Sequence, residues 1–265
     1  MDTTIEYLKS LDVLSWQIVT ILLIAGFLVG FINTMAGSGT IITFSVFSFL
    51  GLPVNIANGT IRLGVIMQTL AASLTFKHNN VLDLKKGLKL GIPVIIGSIT
   101  GAQIAVSIDK NIFEIIIGFV MIVMLAFIII KPERWILGKA GLIKDKPTIF
   151  QVFIFFLIGI YGGFIHIGVG IFLLAGLVLS AGYDLVRANA LKVFIVLLYS
   201  PFALAVFMIN SQIDYKIGLI AAIGNVFGGI LGSRWALSWG PKVVRWFLIV
   251  VILLFTAKLF GLFNF

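Results

Sequence analysis

The stretch GFLVGFINTMAGSGTIITFSVFSFLGLPVNIANGTIR, residues 26–62, decides the fold of this chain. It begins as an apolar helix that carries one amide, Asn33, and it breaks at Ala36-Gly37-Ser38-Gly39. A short apolar run follows, and Ala57-Asn58-Gly59-Thr60 then opens a second helix that holds Arg62 in its first turns. The pattern predicts a helix that is interrupted at glycine, a short segment and a long second helix.

The same arrangement recurs 131 residues later in the chain. A single offset without gaps relates five pairs: Gly37 and Gly168, Gly39 and Gly170, Asn58 and Asn189, Gly97 and Gly228, and Gly101 and Gly232. An internal repeat of this kind indicates two homologous structural units. We therefore predict two halves, each with a glycine-broken helix and a second helix that opens at Ala-Asn.

The composition excludes an ordinary soluble protein. Hydrophobic residues make up 60% of the chain and charged residues only 11%, whereas a soluble domain carries about 25% charge. The chain carries a net charge of +9, and its basic residues lie mainly in short loops between apolar runs. This distribution favours a membrane protein over a nucleic-acid binder. We find no cysteine, nucleotide loop, catalytic triad or metal-ligand cluster, so we predict no cofactor, no metal and no enzyme.

The lengths of the apolar runs predict an all-α polytopic membrane protein. About 20 apolar residues cross the hydrocarbon core, and shorter runs are more typical of re-entrant segments. The first half holds predicted segments at 16–36, 39–52, 57–76, 87–108 and 111–131. The second half holds them at 148–167, 169–181, 186–209, 215–237 and 242–262. The predicted units are a first repeat, 1–131, a basic cytoplasmic linker, 132–147, and a second repeat, 148–265.

The distribution of lysine and arginine predicts the orientation. One set of loops holds Lys77, Lys85, Lys86, Lys89, Lys131, Arg134, Lys139, Lys144, Lys146, Arg187, Arg234, Lys242 and Arg245. The opposite set holds only Lys9, Lys110, Lys216 and Lys258. Cytoplasmic loops carry the excess of basic residues, so we expect both termini outside. Each half then crosses an odd number of times, and the halves are inverted relative to each other. Inverted repeats with broken helices are typical of secondary transporters, which bind substrate where the repeats meet.

Three basic side chains lie inside apolar runs, namely Arg62, His166 and Lys192, while all ten acidic residues lie outside the predicted spans or at their ends. Placing a charged side chain at the centre of a membrane helix costs about 2.5–3.5 kcal/mol on insertion scales, so each of these groups requires a structural or functional explanation. Cations beside helix N-termini, with no acid nearby, favour an anion site. The alternatives are that Arg62 and Lys192 snorkel to the lipid headgroups and that His166 is a packing residue.

Several uncharged residues are further candidates. Ser38 adds a hydroxyl at the first break, and the glycine breaks either expose free amides or let helices pack closely. Asn33, Asn58, Thr60, Tyr161 and Asn189 could hydrogen-bond a substrate or join helices. The two helix-opening asparagines could instead cap their own helices, and capping is the favoured interpretation for Asn189. The candidate substrate-binding residues are Asn33, Gly37, Ser38, Gly39, Asn58, Thr60, Arg62, His166, Gly168, Gly170, Asn189 and Lys192.

These motifs resemble a known family. Residues 33–39, Gly51-Leu52-Pro53 and Ala57-Asn58-Gly59-Thr60 resemble the first repeat of the TauE/SafE sulfite exporter family. Gly162-Gly163-Phe164, Gly168-Val169-Gly170 and Arg187-Ala188-Asn189-Ala190 resemble its second repeat. The resemblance implies a plasma-membrane permease for sulfur-containing anions such as sulfite, thiosulfate, a sulfonate or sulfate.

We therefore expect a secondary transporter that moves a small anion between its repeats, with a proton or sodium as the coupling ion. An anion channel of the same fold is one alternative, and it would conduct without saturation. A membrane scaffold or assembly factor is another, and it would tolerate the loss of the Arg62 charge. The expected partners are the lipid bilayer and the small anion.

Overall fold

The computed structural model describes residues 12–109 and 146–238, together with residues 112, 116 and 143. Within these residues the longer helices are α1 (Trp16–Met35), α2 (Thr40–Phe49), α3 (Val54–His78), α4 (Leu84–Ser107), α5 (Ile149–Phe164), α6 (Val169–Ala175), α7 (Leu185–Ile209) and α8 (Tyr215–Ser238). A π-helical turn, Gly176–Ser180, continues α6. The predicted segments 111–131 and 242–262, and most of the linker 132–147, lie outside the described residues.

The helices confirm the predicted all-α membrane fold. Each of the eight predicted segments within the described residues coincides with one helix. Four of these helices, α1, α4, α7 and α8, are long and apolar enough to cross a membrane. The helix α3 is 25 residues long as well, but it buries polar side chains such as Asn58, Arg62 and Gln68 inside the protein.

The two short helices are too short to cross the hydrocarbon core. At 1.5 Å per residue, the ten residues of α2 span about 15 Å. The seven residues of α6 and the five of the π-helical turn span about 18 Å. The core is about 30 Å thick. Each short helix begins inside the protein, at the buried residues Thr40 and Val169, where its neighbours must satisfy its free backbone groups.

The backbone repeats with the period of the sequence. Adding 131 to the bounds of α3, 54–78, gives 185–209, the bounds of α7. The same shift converts α4, 84–107, into α8, 215–238. All six described residues with positive φ also fall into pairs at this offset: Gly37 and Gly168, Gly51 and Gly182, and Asn80 and Ser211. The two repeats are thus present in the backbone, while their inverted orientation stays a prediction.

Matching side chains stop and start the helices in both repeats. The amides of Asn79 and Asn210 each donate to the carbonyl four residues earlier, both at 2.8 Å. The carboxylates of Asp83 and Asp214 each accept from the backbone N–H three residues later, both at 3.0 Å. These contacts satisfy groups that a helix end leaves without an intrahelical partner. They explain why the helix bounds repeat so closely.

The repeats exchange packing partners. Helix α1 of the first repeat packs against α8 of the second, and α5 of the second packs against α4 of the first. Small residues bring the backbones together, because a Cβ on Gly30 would collide with the backbone of Asn225 and one on Gly163 with that of Ser98. Close approach at glycine is typical of helix pairs in membranes. Helices α3 and α7 lie between these pairs in contact with each other.

Candidate substrate site between the two broken helices

The two helix breaks meet in the protein interior. Helix α1 ends at Met35 and α2 begins at Thr40, while α5 ends at Phe164 and α6 begins at Val169. A Cβ on Gly37 would lie 2.5 Å from the Cα of Gly170, so the two backbones touch. The backbone of Gly37 has a φ of +82°, which favours glycine. Both breaks therefore lie inside the protein.

The second break differs from its prediction in one respect. Gly168, with a φ of +72°, precedes the first residue of α6. Gly170 lies within the first turn of α6, so the prediction that the chain leaves helical geometry through Gly170 is wrong. The reason is that one left-handed residue is enough to redirect the chain, and Gly170 is needed instead for the close contact with Gly37.

Lys192 holds the end of α1. Its side chain is 2% exposed, and its Nζ donates to the carbonyl oxygens of Asn33 at 2.9 Å and Thr34 at 3.0 Å. These carbonyls belong to the last turn of the helix, where the helix dipole places partial negative charge. The alternative that Lys192 snorkels to the headgroups is wrong, because its ammonium group lies inside the protein.

Arg62 holds the end of α5. Its side chain is fully buried, and its NH1 and NH2 donate to the carbonyl oxygens of Gly162 at 3.1 Å and Gly163 at 2.6 Å. The guanidinium carbon also lies 4.7 Å from the ring centroid of Phe207, a cation–π contact. The alternative that Arg62 snorkels is therefore wrong too. Only its Nε lacks a hydrogen-bond partner.

Asn58 completes the end of α5. Its amide donates to the carbonyl of Phe164 at 2.9 Å, and the carbonyl of Tyr161 accepts from the N–H of Ile165 at 2.8 Å. Together with the two bonds from Arg62, these contacts satisfy all four carbonyls of the last turn of α5. Asn58 is the fifth residue of α3, so it caps the opposite repeat's helix and not its own.

The two sets of contacts are reciprocal. We call them the α1 clasp, in which Lys192 binds the end of α1, and the α5 clasp, in which Arg62 and Asn58 bind the end of α5. Arg62 comes from α3 of the first repeat and binds the second repeat's broken helix, and Lys192 comes from α7 of the second repeat and binds the first repeat's broken helix. Shifted back by 131, Lys192 falls on Ile61, next to Arg62. A cation at a helix C-terminus is stabilising because it opposes the dipole. No carboxylate among the described residues pairs with either cation.

His166 lies in the second break and bonds to α7. Its Nδ1 lies 3.0 Å from the Oη of Tyr199. Its backbone carbonyl accepts from the Oγ1 of Thr40 at 3.4 Å. The hydroxyl of Tyr161 donates to the carbonyl of Ile167 at 2.6 Å. The short connection between α5 and α6 is therefore tied to both repeats.

The first break holds its own polar contacts. The N–H of Gly39 donates to the Oδ1 of Asn33 at 2.8 Å, which closes the turn between α1 and α2. The Oγ of Ser38 is buried and has no hydrogen-bond partner. In a low dielectric such a hydroxyl is costly unless something else satisfies it.

A small pocket lies where the breaks and the central helices meet. Five of the predicted site residues line it, namely Asn33, Gly37, His166, Gly170 and Lys192, with Val65, Gln68, Thr69, Val169, Val193 and Val196. The space open to the centre of a water-sized sphere is only about 10 Å³, enough for about one water molecule. The described residues contain no group of histidine and acidic side chains that could hold a metal ion.

Other predicted residues lie outside this pocket lining. Arg62 and Asn58 clasp α5, and Gly39, Ser38 and Gly168 shape the breaks. Thr60 is elsewhere in the fold, because its Oγ1 accepts from the N–H of Asp214 at 2.8 Å, at the turn before α8.

Asn189 corrects a further expectation. We weighed it as a helix cap, but the carboxylate of Asp184 accepts from the N–H groups of Val186 and Arg187 at 3.1 and 3.0 Å and caps α7. Asn189 lies one turn further in, is fully buried, and both of its amide atoms lack partners. The prediction that it caps α7 is wrong, because Asp184 already occupies the N-cap position.

Sequence reasoning missed three polar side chains. Gln68 donates to the Oγ1 of Thr34 at 3.3 Å, and Thr69 lines the pocket beside it. Tyr199 holds His166. Gln68 and Thr69 follow Val65 by three and four residues, so they share its buried face of α3. That spacing could have predicted that Gln68 and Thr69 are buried, but neither residue is charged or adjacent to the glycine motifs.

Comparisons with known proteins agree with this architecture. The family described as sulfite exporter TauE/SafE matches residues 22–259. A probable membrane transporter protein of Sinorhizobium is 26% identical to this chain, over 93% of the chain and 94% of the relative. A probable membrane transporter protein of Haemophilus influenzae is 27% identical, over 92% and 94%. One from Bacillus subtilis is 24% identical, over 92% and 98%.

No solved structure matches this chain significantly. The family match covers both repeats, including the two breaks and both clasps. The matches cover nearly the whole length of this chain and of the relatives, so the likeness is not confined to one motif. This chain therefore belongs to the sulfite exporter TauE/SafE family of membrane transporters.

Proposed function

We propose that this protein is a secondary transporter that carries a small, sulfur-containing anion across the cell membrane, through a site between its two repeats. The family name supports sulfur-containing substrates, and the relatives are described as probable membrane transporters. Sulfite, thiosulfate, sulfate and small sulfonates share a negative charge and several oxygen acceptors. The chemistry of the pocket is the second support.

The buried ammonium group of Lys192 carries the proposal. An ammonium group has three N–H donors, and two of them bind the carbonyls of Asn33 and Thr34. Lys192 also lines the pocket, so the third donor can meet a ligand there. A buried charge without a counter-charge is costly. An anion would supply that counter-charge, and the nearby cation would lower the free-energy cost of moving the anion out of water.

The surroundings of Lys192 favour oxyanions. Gln68 and Thr69 line the pocket with it. The Gln68 amide donates one N–H to Thr34 and has a second N–H for a ligand, whereas the Thr69 hydroxyl already donates to the carbonyl of Val65 at 2.7 Å. The helix α2 begins three residues after Gly37, which also lines the pocket. The first N–H groups of a helix have no intrahelical acceptor and attract anions. Lysine, amide and helix end together form a set of donors that matches several oxygens around one sulfur.

We assign Arg62 a different role. Sequence reasoning counted it among the candidate substrate-binding residues. In this structure both terminal nitrogens already bind the carbonyls of Gly162 and Gly163. The geometry therefore supports Arg62 as a positioning residue that shapes the second break, and Lys192 as the cation that contacts the substrate.

Movement of the breaks is part of the proposal. The pocket has room for about one water molecule, whereas sulfite and thiosulfate have four or five heavy atoms. Gly37 and Gly170, which line the pocket, are in contact with each other. Alternating access in transporters with repeats moves one repeat against the other around a fixed site. We infer that the two breaks separate when the substrate enters.

The proposed orientation has both termini outside and the halves inverted. The chain contains no cysteine, so a single introduced cysteine reports one position. Lys85 and Lys216 are matched by the offset of 131, and both are exposed at the start of α4 and α8. Inverted repeats place them on opposite sides of the membrane. Lys85→Cys should resist an impermeant external thiol reagent in intact cells, and Lys216→Cys should react; labelling of both would exclude inversion.

The substrate is tested by uptake into proteoliposomes. Labelled sulfite, sulfate, thiosulfate and methanesulfonate are compared under imposed proton and sodium gradients. Saturable uptake of at least one anion, inhibited by the others, is the expected result. A current without saturation would identify a channel. No uptake of any of them by folded protein would contradict the proposed function and favour a scaffold role.

A further inference from the structure

The pair formed by His166 and Tyr199 has no role in binding an anion as described so far. The Nδ1 of His166 lies 3.0 Å from the Oη of Tyr199, and the two rings are 6.0 Å apart between centroids. Both side chains are buried, and His166 lines the pocket together with Lys192. A histidine in a substrate pocket is a group whose charge can change near neutral pH.

The geometry allows this hydrogen bond to survive a change of protonation. When the imidazole is neutral with its hydrogen on Nε2, the Tyr199 hydroxyl donates to Nδ1. When a proton is added at Nδ1, that nitrogen becomes a donor and the hydroxyl becomes its acceptor, because a hydroxyl can both donate and accept. One rotation of the O–H bond therefore accommodates the charged ring. The contact with α7 is kept in both states.

The charges around His166 link its proton to the anion. Arg62 of α3 binds the carbonyls three and four residues before His166. Lys192 and Tyr199 face it from α7, and Tyr161 of α5 binds the carbonyl just after it. On α2, Thr40 binds its backbone and is not titratable. A protonated His166 therefore lies near two cations, Arg62 and Lys192, and near no carboxylate among the residues that the structure describes. An anion beside Lys192 offsets that repulsion, so anion and proton bind cooperatively.

Sodium has weaker support in the same region. Sodium sites in transporters are built from oxygen ligands such as unwound carbonyls. Here the carbonyls at the two helix ends are engaged by Lys192, Arg62 and Asn58. A sodium ion at these carbonyls would meet the positive charges of Lys192 and Arg62.

We propose that a proton crosses the membrane together with the anion and that His166 carries it. The proposal rests on the proposed anion transport. The proton enters from the same side as the anion, adds to Nδ1 of His166 as the anion binds beside Lys192, and leaves Nδ1 for water when the anion departs on the other side. The net result is transport of one anion and one proton in the same direction.

The test uses purified full-length protein in proteoliposomes with the membrane potential clamped at zero. The probe is whichever of thiosulfate, sulfate and methanesulfonate is taken up fastest, because these anions have no uncharged form at neutral pH that leaks through lipid. With the outside one pH unit more acidic, coupling of one proton per anion predicts about tenfold accumulation at equilibrium. A pH dye inside the vesicles should report acidification in step with uptake.

Variants identify the carrier. His166→Gln keeps a hydrogen-bonding side chain but cannot carry the proton, and it should equilibrate the anion without accumulation. His78, the other histidine of the chain, is exposed at the end of α3, and His78→Gln should still accumulate about tenfold. Tyr199→Phe removes the hydroxyl that exchanges roles with Nδ1, and it should shift the pH at which uptake is half-maximal.

The outcomes separate the two proposals. Uptake without accumulation in the wild type would overturn proton coupling and leave anion transport standing. Accumulation that persists in His166→Gln would remove His166 as the carrier. If His166→Gln does not transport at all, an unchanged pH midpoint in Tyr199→Phe overturns the assignment, and a shifted midpoint supports it. Absence of uptake by the folded wild type would end both proposals.

Discussion

At the centre of the protein, a cation from the other repeat binds the carbonyls at the end of α1 and of α5. The two helix ends differ in how many of these carbonyls have donors and in which donors are left over. At the end of α5, Arg62 and Asn58 supply three donors, and every carbonyl of the last turn is satisfied. At the end of α1, Lys192 binds two carbonyls and has one donor left over beside the pocket. The matched Asn189 binds nothing, although it is fully buried.

The comparison shows how matching parts of two repeats can take different roles, one in stability and one in substrate binding. Both clasps place a cation on the negative end of the other repeat's helix, which is a structural task. In the α5 clasp every carbonyl of the last turn has a donor, and NH1 and NH2 of Arg62 each use one N–H on these carbonyls. In the α1 clasp the third donor of Lys192 lies beside the pocket, which Arg62 does not line. We therefore assign stability mainly to the first clasp and substrate binding to the second.

The largest effect on stability is expected from removing the α5 clasp. Arg62→Met leaves the carbonyls of Gly162 and Gly163 without donors, and each unsatisfied buried group costs about 1–3 kcal/mol. The melting temperature in detergent and the yield of folded protein should both fall. Arg62→Lys keeps a charge and should lose less. A normal melting temperature in Arg62→Met would show that the clasp is not structural.

The next effect is expected where the two clasped ends meet. Gly37→Ala combines a left-handed backbone with a Cβ 2.5 Å from the backbone of Gly170, and we expect it to cost about 2–5 kcal/mol. Gly51→Ala is the matched control, because its φ of +88° is similar but nothing lies within 4 Å. It should cost about 1–2 kcal/mol. Equal losses of thermal stability in the two variants would mean that the contact between the breaks is unimportant.

The smallest effect comes from the two matched asparagines. Asn58→Leu removes the donor to Phe164 and should cost about 1–3 kcal/mol. Asn189→Leu removes an amide that has no partner, and it should be neutral or slightly stabilising. Thermal unfolding of the two variants side by side measures the difference. A larger loss in Asn189→Leu would show that the α1 clasp contains a bond that the described geometry lacks.

The fold was largely readable from the sequence. The apolar runs placed every described helix, and glycine at 37 and 168 marked both breaks, because a left-handed residue and a close backbone contact each require glycine. Charged residues inside apolar runs also drew attention to Arg62, His166 and Lys192, all of which lie at the breaks.

The roles of those residues were harder to read. The sequence cannot show whether Arg62 points at a ligand or at a carbonyl 100 residues away, since both uses need the same guanidinium. Thr60 and Asn189 share a motif with Asn58, yet one bonds to the turn before α8 and the other to nothing. Tertiary packing decides these partners, and local spacing carries no information about it.

The central claim is that the substrate binds at Lys192 and that Arg62 only positions the break. Uptake of the best substrate per folded molecule in proteoliposomes, compared between Lys192→Met and Arg62→Met, tests it most directly. An anion without its cation should lose about 3–5 kcal/mol, so Lys192→Met should transport at least about a hundredfold less than wild type. Folded Arg62→Met should stay within about tenfold of wild type. Wild-type uptake by Lys192→Met, or a loss confined to Arg62→Met, would contradict the account.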